Sequence, residues 1–565
     1  MHVTVFERDA SAIRGEGKYR GPIQIQSNAL AALQAVDTAL ATAVMSTGCV
    51  TGDRINGLVD GVTGNWYCKF DTFHPAVDNG LPVTRVISRV ELQGILAQAL
   101  PEGLIRNNQC VESFEEKLGG VEVVLDNGER VWGDVLVGCD GIRSRVRTQL
   151  LGPSQPAYSS YTCYTGIADF TPPDVDTVGY RVFLGNKQYF VSSDVGHGKQ
   201  QWYAFHCEPA GGEDAEGTRK TRLLSIFGHW CDDVTDLIKN TPEEDVLRRD
   251  IYDRPPIMTW SKGRVTLLGD SAHAMQPNLG QGGGMAIEDA YTLACELSTA
   301  IDEADGKPGR AFLQSALGRY ENKRRLRVGA IHGMARAAAE MASTYKAYLG
   351  EGLGPLSFIE KLRIPHPGSL SGKFVMQFAM PFMLDWILGG NSDIRSAPER
   401  AIHLGSEKPK LAGGMTEESF QTYLADDDAM LRAADADWLL VPICDGGVAC
   451  AVEPMDLPTA ERVAPVLLGR GVHPSCSNEL VSGQHASVVL EASTGNYVLT
   501  DLNSTNGTWL NRGRMRTGGK ARIVPGDDIS LGDYNSGVRF RVKLRKRGTA
   551  PVAAGRAADQ VPAAR

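Results

Sequence analysis

The hydrophobic pattern of the chain changes period around residue 270, and most of the candidate chemistry lies at that change. Residues 264–268 are mostly apolar and β-branched, which is typical of a buried strand that ends at Gly269 and Asp270. From Met285 onward, apolar residues recur at helical spacing. The pattern predicts a strand, an irregular loop up to residue 284 and a helix. The loop contains Pro277, Gly280, Gln281, Gly282, Gly283 and Gly284.

An acid at a strand end, followed by glycines and a helix, is suited to holding a ligand. The helix start presents unpaired backbone N–H groups and a positive dipole end, and the acid accepts hydrogen bonds from sugar-type hydroxyls. For the glycines alone, a surface loop before an amphipathic helix is an equally good interpretation. The order of acid, proline, glycines and helix resembles the Gly-Asp motif of the aromatic-hydroxylase class of FAD-dependent monooxygenases. The resemblance implies that Asp270 holds the FAD ribityl chain and that the loop borders the flavin ring.

An acid also ends the first predicted strand of the chain, residues 3–6. In a dinucleotide-binding fold, an acid about twenty residues after a Gly-x-Gly-x-x-Gly turn binds the ribose hydroxyls. Glu7 fits this acid, although a single terminal glutamate is more often an exposed surface residue, and no such glycine turn precedes it. We therefore expect the first strand, the phosphate-binding turn and the first helix to be missing from this chain, which would weaken FAD binding.

Asp140 and Gly141 follow another predicted strand, residues 135–137, and lead into a short basic helix. Alone, a strand, a turn and a helix with Asp-Gly are a common combination. Their order here resembles the Asp-Gly motif of the same monooxygenases. The resemblance implies contacts with FAD and with a passing nicotinamide cofactor.

Two basic features have competing interpretations. Arg89 lies in the first turn of a predicted helix, where a phosphate contact and a plain surface position are about equally well supported. The basic run at residues 323–327 lies inside a helical stretch and is interpreted as a solvated helix face.

Between residues 161 and 207 the pattern changes to closely spaced strands. They are predicted at 161–167, 177–184, 189–193 and 201–207, with hairpin-like turns between them. We expect an antiparallel sheet inserted into the α/β core at about residues 155–260, covering the flavin and shaping the substrate site. Core packing explains most of its aromatic residues, but the side that faces the flavin should bind an apolar molecule.

A strongly apolar run at residues 374–388 follows a long helical region. It is shorter than the ~20 residues that span a bilayer, and Gln377, Pro381 and Asp385 interrupt it. A helix packed on the core is the first interpretation. Contact with a membrane surface is the alternative, because Trp386 and several Phe and Met residues suit an interface.

Composition excludes several classes of function. The chain of 565 residues carries a net charge of −9, whereas broad nucleic-acid binding needs a dominant basic face, so we expect no nucleic-acid partner. Its 11 cysteines include no Cys-x-x-Cys pair, which favours a reducing compartment over a disulfide framework. Histidines and carboxylates show no metal-ligand spacing, so no metal is assigned.

From about residue 436 the chain changes to short β segments with Gly, Pro and Asn turns, as expected of an all-β sandwich. The order of its turn residues resembles a forkhead-associated domain. The resemblance implies that Arg470 and Ser482 bind a phosphothreonine phosphate, that His485 braces the loops and that Asn506 holds the ligand backbone. The arginine that often follows the family serine is Gly483 here, which predicts weaker phosphate binding or a purely structural module.

The expected fold class is an α/β, Rossmann-like FAD-binding domain of the aromatic-hydroxylase type with an inserted antiparallel sheet, followed by an all-β forkhead-associated sandwich. We place the monooxygenase core at residues 1–350, an apolar segment and linker at 351–435, the sandwich at 436–545 and a disordered tail at 546–565.

This pairing of domains, with the strings at residues 11–30, 52–61 and 161–170, resembles the zeaxanthin epoxidase family of plants and algae over residues 1–545. The resemblance implies epoxidation of zeaxanthin to antheraxanthin and violaxanthin, on the route to abscisic acid, with FAD, O₂ and either NADPH or reduced ferredoxin. Oxygen would be activated as a hydroperoxide at flavin C4a, so no side chain is expected to act as a catalytic nucleophile. The resemblance also implies a chloroplast protein in peripheral contact with a membrane, whose transit peptide is not present in this chain.

Two alternatives stay open on the sequence. One is an aromatic-ring hydroxylase of the same fold that acts on a soluble phenol. The other is a phosphopeptide-binding adaptor that lacks flavin chemistry.

Overall fold

The computed structural model describes residues 2–9, 21–172, 174–349, 364, 366–401, 409–425, 436–443, 454–459, 464–470, 472, 478–491 and 496–546. The chain divides into two compact units, Met1–Lys410 and Leu411–Arg565. The predicted fold class is confirmed: the first unit is α/β with a large, mostly antiparallel sheet, and the second is rich in strands.

The described strands of the first unit are β1 (Val5–Phe6), β2 (Ile23–Ile25), β3 (Cys49–Val50), β4 (Ile55–Asp60), β5 (Trp66–Phe70), β6 (Arg85–Ile87), β7 (Ile105–Arg106), β8 (Val111–Lys117), β9 (Gly120–Leu125), β10 (Arg130–Gly133), β11 (Leu136–Gly138), β12 (Ala157–Ala168), β13 (Val178–Gly185), β14 (Gln188–Asp194), β15 (Gln200–Cys207), β16 (Leu247–Asp253), β17 (Ser261–Lys262) and β18 (Val265–Leu267).

The described helices of the first unit are α1 (Ser27–Val36), α2 (Thr38–Thr47), α3 (His74–Val77), α4 (Arg89–Gln98), α5 (Arg145–Leu151), α6 (Arg219–Phe227), α7 (Asp232–Lys239), α8 (Asp270–His273), α9 (Gly282–Glu303), α10 (Arg310–Thr344), α11 (Pro367–Leu388), α12 (Ser392–Arg395) and α13 (Pro398–Ala401). Short 3₁₀ turns occur at Glu243–Asp245 and Pro277–Leu279.

Strands β11 and β18 form the parallel pair that carries two of the predicted motifs. Gly138 at the end of β11 lies opposite Leu267 at the end of β18, and β17 completes this three-stranded sheet. The long helices α9 and α10 pack beside it, and the Tyr320 hydroxyl on α10 donates to the Leu267 carbonyl at 3.0 Å. Because the strands are parallel, the segments that follow them leave the sheet at the same edge.

The predicted antiparallel strands all form within a larger sheet. Seven strands lie in the order β16-β12-β15-β14-β13-β4-β5. Strands β4 and β5 come from residues 55–70, and the sequence did not indicate them. One face of the sheet packs against α6 and α7, and the other face meets residues of α10 and α11.

The predicted irregular loop before Met285 is wrong in part. Asp270–His273 is a helical turn, Pro277–Leu279 is a 3₁₀ turn, and α9 already begins at Gly282. Glycine costs about 1 kcal/mol in a helix, but here it permits close packing. A Cβ on Gly283 would lie 2.9 Å from Ile23 Cδ1, so the missing side chain lets β2 approach the first turn of α9.

The alanine-rich stretch at residues 27–47 forms two helices, α1 and α2. Asp37 separates them, and its side chain accepts from the Leu40 N–H at 2.9 Å as the N-cap of α2. Ser27 and Asn28 lie inside α1 and are fully buried.

The second unit begins with a 3₁₀ turn at Ala412–Gly414 and helix α14 (Glu417–Leu424). Its described strands are β19 (Ala436–Pro442), β20 (Met455–Asp456), β21 (Val466–Leu468), β22 (Ala486–Leu490), β23 (Tyr497–Asp501), β24 (Thr508–Leu510), β25 (Gly513–Arg514), β26 (Lys520–Ile523), β27 (Asp528–Leu531) and β28 (Val538–Lys546). They form two sheets, ordered β20-β19-β28-β27-β24-β25 and β21-β22-β23-β26.

Helix α14 lies in the stretch for which composition indicated a linker, yet it packs on the sandwich. The Tyr423 hydroxyl donates to Asp527 Oδ2 at 2.7 Å, and the Thr416 hydroxyl donates to the Gly526 carbonyl at 2.9 Å. Phe420 between them is fully buried. Residues 351–363 of the predicted linker and 547–565 of the predicted tail lie outside the described residues.

Candidate functional site

The Asp-Gly and Gly-Asp segments lie side by side at the carboxyl edge of the β11–β18 pair. The Leu268 N–H donates to the Gly138 carbonyl at 3.0 Å, so the two chains stay paired up to the point where each turns. Asp270 then begins α8, with its side chain exposed. The structure therefore brings together two sequence motifs that are 130 residues apart.

Asp140 has a structural task at this edge. Its carboxylate accepts from the backbone N–H of Arg145 at 2.7 Å and from the Ser144 hydroxyl at 2.5 Å, so it caps the start of α5. Gly141 adopts a φ of +77°, which favours glycine. Contact of either residue with FAD stays a prediction.

Arg147 ties the two motifs together, and sequence reasoning missed it. Its Nη1 atom donates to the carbonyls of Ser271 and Ala272, each at 3.1 Å, and its side chain is buried. Burial and the neighbouring Arg254 lower the pKa of Arg147 to about 10. The sequence feature that could have indicated this role is the position of Arg147 in the short helix that follows the Asp-Gly motif.

Arg89 lies in the first turn of α4, as predicted, and the Ser88 side chain is the N-cap. The Nε atom of Arg89 donates to the Gly21 carbonyl at 3.0 Å. Burial lowers the pKa of Arg89.

The glycine loop reaches α9 through tight backbone geometry. Pro277 opens the 3₁₀ turn, and Gly280 adopts a φ of +64° where a Cβ would lie 2.9 Å from Gln24 Oε1. Gln281 is the N-cap residue of α9, but its side chain does not cap the helix. The first-turn N–H groups of a helix have no partner within it, so α9 presents donors along Gly282, Gly283 and Gly284.

The interpretation of residues 323–327 as a solvated helix face is wrong for two of its arginines. Arg324 is fully buried and pairs with two carboxylates of α9, Glu288 at 2.5 Å and Asp289 at 2.7 Å. Arg327 is nearly buried and pairs with Glu288 at 2.9 Å. Buried carboxylates need cations, and two adjacent acids on the apolar side of α9 were the signal that sequence reasoning missed.

Glu7 lies on a different, two-stranded sheet. Strand β1 pairs in parallel with β7, and Glu7 Oε1 accepts from the Asp9 N–H at 3.0 Å. The strand predicted at residues 3–6 is shorter in the structure: β1 spans two residues, and Val3 and Val5 are 50% and 39% exposed. The ribose-binding role of Glu7 stays a prediction.

The candidate residues fit the parts of FAD chemically. Asp270 offers an exposed acceptor for sugar-type hydroxyls, and Arg89 offers a cation for a phosphate. The start of α9, a helix of 22 residues, adds backbone donors and the positive end of its dipole.

An apolar aromatic wall lies next to this edge. The sheet face toward α10 and α11 buries Tyr161, Cys163, Tyr189 and Phe205, and the rings of Tyr189 and Phe205 stack at 4.3 Å between centroids. Asn278, in the loop before α9, donates to the Tyr189 hydroxyl at 3.0 Å. The predicted apolar side of the sheet is thus joined directly to the glycine loop.

Within the described residues, no helix is both long and apolar enough to cross a membrane. The apolar run at 374–388 lies in α11, which contains Pro381. This helix buries Met380 and Ile387 while Phe378, Phe382 and Trp386 are 62%, 81% and 45% exposed. The exposed residues are four apart in sequence and so share one helix face.

The predicted phosphothreonine-binding residues lie together on loops of the second unit. The backbone N–H of Arg470 donates to the Ser482 carbonyl at 2.9 Å, and the Thr505 N–H donates to the Ser482 hydroxyl at 3.2 Å. The Asn506 amide donates to the Leu480 carbonyl at 2.9 Å. The side chain of Arg470 is exposed and available to a ligand.

His485 braces these loops from inside. It is fully buried, and its Nδ1 accepts from the Ser482 N–H at 2.9 Å while Nε2 lies 2.8 Å from the Gly507 carbonyl. This pattern requires the neutral ring with its proton on Nε2. Burial lowers the pKa of His485 and so favours that neutral form.

Comparison with known families agrees with this division into two sites. The FAD binding domain family matches residues 59–332, and the FHA domain family matches residues 466–532. The predicted FAD cofactor and the predicted forkhead-associated domain are both confirmed.

Known proteins of similar sequence extend the match over almost the whole chain. The chloroplastic zeaxanthin epoxidase of Solanum lycopersicum is 56% identical over 556 residues, which cover 96% of this chain and 81% of that protein. The chloroplastic zeaxanthin epoxidase of Arabidopsis thaliana is 53% identical over 557 residues, covering 96% and 81%.

Two solved structures share the fold of the first unit. Klebsiella pneumoniae HpxO complexed with FAD and uric acid matches with a TM-score of 0.54 and 22% identity, covering 69% of this chain and 97% of that one. A salicylate hydroxylase substrate complex matches with a TM-score of 0.52 and 19% identity, covering 73% and 98%. The predicted enzyme class is confirmed: the chain is a flavin-dependent monooxygenase and belongs to the zeaxanthin epoxidase family.

Proposed function

We propose that this chain epoxidises zeaxanthin to antheraxanthin and then to violaxanthin in the chloroplast. Support comes from relatives of that name, which are 53% to 56% identical over nearly the whole chain. The comparisons favour neither the phenol hydroxylase nor the adaptor without flavin chemistry. NADPH or reduced ferredoxin as the electron source stays a prediction.

The observation that carries this proposal is the aromatic wall joined to the glycine loop. The ring of a carotenoid end group is apolar, and the Tyr189–Phe205 stack, itself nearly buried, gives the sheet beside the glycine loop a matching apolar character. Cys163 is buried in the same wall, and burial raises the pKa of its thiol far above its usual range, so it stays neutral. The wall thus suits a neutral, apolar substrate.

The residues at the sheet edge hold and enclose the cofactor in this proposal. Bound FAD supplies the chemistry, because the reduced flavin activates O₂ and delivers one oxygen atom to an alkene. Asp270, Arg89 and the start of α9 fix the position of the cofactor. The aromatic wall excludes water and orients the alkene of the substrate toward the bound cofactor.

A direct assay tests the substrate. The purified full-length chain is incubated with FAD, O₂ and zeaxanthin in liposomes, with NADPH or reduced ferredoxin supplied separately, and the pigments are separated by HPLC. We expect antheraxanthin to accumulate before violaxanthin. A protein that holds FAD and consumes O₂ with a soluble phenol, but leaves zeaxanthin unchanged, would refute the proposal.

We infer that the second unit binds proteins phosphorylated on threonine. Support comes from the FHA domain match and from the way Ser482, Asn506 and the exposed Arg470 lie on adjoining loops. Calorimetry with paired phosphothreonine and threonine peptides of equal sequence tests this inference. Equal affinity for both members of every pair would leave the module without its proposed ligand.

We also propose that α11 contacts the lipid surface from which the carotenoid is drawn. Phe378, Phe382 and Trp386 present one apolar face on a helix whose other side packs on the protein. Replacing Phe378 and Phe382 by Ser should lower flotation with liposomes by about tenfold, as loss of two interfacial aromatics does. The control is Phe312→Ser, which removes an aromatic residue that is 42% exposed on α10. Equal flotation of the two variants would contradict membrane contact through α11.

A further inference from the structure

Two adjacent carboxylates on α9 are completely buried beneath the proposed flavin-binding segments. Glu288 and Asp289 each have side chains that are 0% exposed, as does the arginine between them, Arg324 of α10. Isolated charges are costly in such surroundings, so these groups must compensate one another. The question is what the two carboxylates hold in place.

Glu288 reaches the glycine loop through Asn28. The Asn28 amide donates to Glu288 Oε1 at 2.7 Å and to Gln281 Oε1 at 2.9 Å. The Gln281 amide donates back to Asn28 Oδ1 at 3.1 Å. Glu288 therefore anchors, through one buried amide, the residue that immediately precedes the glycine start of α9.

Asp289 reaches the Gly-Asp turn directly. Its Oδ2 atom accepts from the backbone N–H of Gly269 at 3.1 Å and lies 2.6 Å from His273 Nε2. These contacts fix both sides of Asp270, since Gly269 precedes it and His273 ends the same helical turn. Asp289 thus anchors the second segment assigned to FAD.

We propose that Arg324 is a positioning residue for FAD: by pairing with both Glu288 and Asp289 it fixes the two side chains that hold the glycine loop and the Gly-Asp turn. Its Nη1 atom donates to Glu288 Oε2 at 2.5 Å and its Nε atom donates to Asp289 Oδ1 at 2.7 Å. The planar guanidinium spans two acceptors that a lysine ammonium cannot hold in the same geometry. The proposal rests on the assignment of these two segments to FAD.

The charge balance supports this role. Burial raises the pKa of Glu288 and of Asp289. At Glu288 the charges of Arg324 and Arg327 outweigh burial, and at Asp289 the contacts with His273 and Arg324 do so, and both pKa values are lowered. Both carboxylates are therefore ionised and keep their full strength as hydrogen-bond acceptors.

The test is FAD binding by the full-length chain, followed through quenching of flavin fluorescence and through the shape of the visible flavin bands. Arg324→Lys keeps the charge but loses the two-armed geometry. We expect it to weaken FAD binding about tenfold and to broaden the flavin bands, as loss of a charged hydrogen bond does. The matched control is Arg319→Met, because Arg319 also joins α10 to α9, through Glu296, but touches neither flavin segment. The control should stay within about twofold of the unmodified chain.

A second variant covers the case in which Arg324→Lys fails to fold. Asn28→Ala leaves the ion cluster intact and cuts only the Glu288 arm, so we expect FAD binding to weaken about threefold. If the unmodified chain does not bind FAD, the assignment of the site fails. If it binds FAD and the folded Arg324→Lys or Asn28→Ala chain gives the affinity and flavin bands of Arg319→Met, the positioning role of Arg324 is overturned.

Discussion

The two candidate sites of this chain are held together by different kinds of interaction. The loops of the forkhead-associated unit are braced by a neutral histidine and by backbone groups of the same domain. His485, for example, contacts the carbonyl of Gly507, 22 residues away. The flavin segments are braced by buried ion pairs, those of Arg324 with Glu288 and Asp289. A buried amide, Asn28, joins Glu288 from 260 residues away.

This difference matters for how each site should respond to change. Neutral hydrogen bonds contribute about 1 kcal/mol each, so each single substitution in the phosphothreonine loops should destabilise them only slightly. Removing one member of a buried ion cluster leaves an uncompensated charge, so a single substitution there should strongly destabilise the flavin segments. The following predictions test that contrast.

The largest effect should come from Arg324→Met. It leaves Glu288 and Asp289 buried with less positive charge, so we expect a loss of about 3–5 kcal/mol in the stability of the first unit. Arg319→Met, on the same two helices, should cost less than about 1 kcal/mol, because Arg319 is 35% exposed and Glu296 keeps Lys323 as a second cation. Hydrogen exchange of α9 and α10, read by mass spectrometry, measures both. Similar exchange in the two variants would contradict a special role for the buried cluster.

The next effect concerns the phosphate ligand of the second unit. Arg470→Ala should lower affinity for a phosphothreonine peptide by about ten- to a hundredfold, since a charge-assisted hydrogen bond contributes about 1.5–3 kcal/mol. Lys543→Ala is the control, because this exposed cation pairs with Glu418 of α14. Calorimetry gives both affinities, and an equal loss would mean that general charge, not Arg470, attracts the peptide.

A smaller effect should follow the pH. Burial lowers the pKa of His485 below its ordinary value of 6.5. Below pH 6.5 the histidine of the unfolded chain therefore binds a proton more readily than the buried ring of the folded chain. The contribution of His485 to stability is therefore complete above about pH 6.5 and declines below it, by at most about 1.4 kcal/mol per pH unit. Urea unfolding of the second unit, compared between the unmodified chain and His485→Gln, isolates this slope. Parallel curves from pH 7.5 to 5 would refute it.

The smallest expected change is a gain. Gly483→Arg introduces the arginine that the family often carries, and an added Cβ there meets nothing within 4 Å. We expect affinity for a phosphothreonine peptide to rise about fivefold, the size of one exposed charge contact. Gly483→Gln, which adds a similar length without charge, should leave the affinity unchanged. A gain of equal size with glutamine would show that charge is not the cause.

The same contrast explains what the sequence could predict. The motif residues Asp140, Asp270, Ser482 and His485 stand in short strings whose order carries information, and the structure places each pair on adjoining segments. The strand, turn and helix around each motif could be predicted, but the parallel pairing of β11 with β18, which brings Asp140 and Asp270 to one edge, is seen only in the structure.

The supporting residues could not be predicted in this way. Asn28 is the second residue of an alanine-rich helix, and Arg324 belongs to a run of basic residues that resembles a solvated surface. Only tertiary packing brings them to α9, because each bridges more than 30 residues of sequence. The helix propensity of a local stretch contains no information about such long-range contacts.

The boundary of the second unit shows a related limit. Composition places residues 411–425 in a polar linker, yet the sandwich recruits α14 through the Tyr423 hydroxyl and the buried ring of Phe420. A short amphipathic helix in a polar stretch gives a weak signal until the surface that it covers is known.

FAD titration of the full-length chain beside its Asp270→Ala variant tests the central claim most directly. Asp302→Ala, which removes an exposed acid near the far end of α9, is the control. The account predicts that the unmodified chain and Asp302→Ala quench flavin fluorescence alike and that Asp270→Ala binds at least about tenfold more weakly. Equal binding by all three would show that the Gly-Asp edge does not hold the flavin.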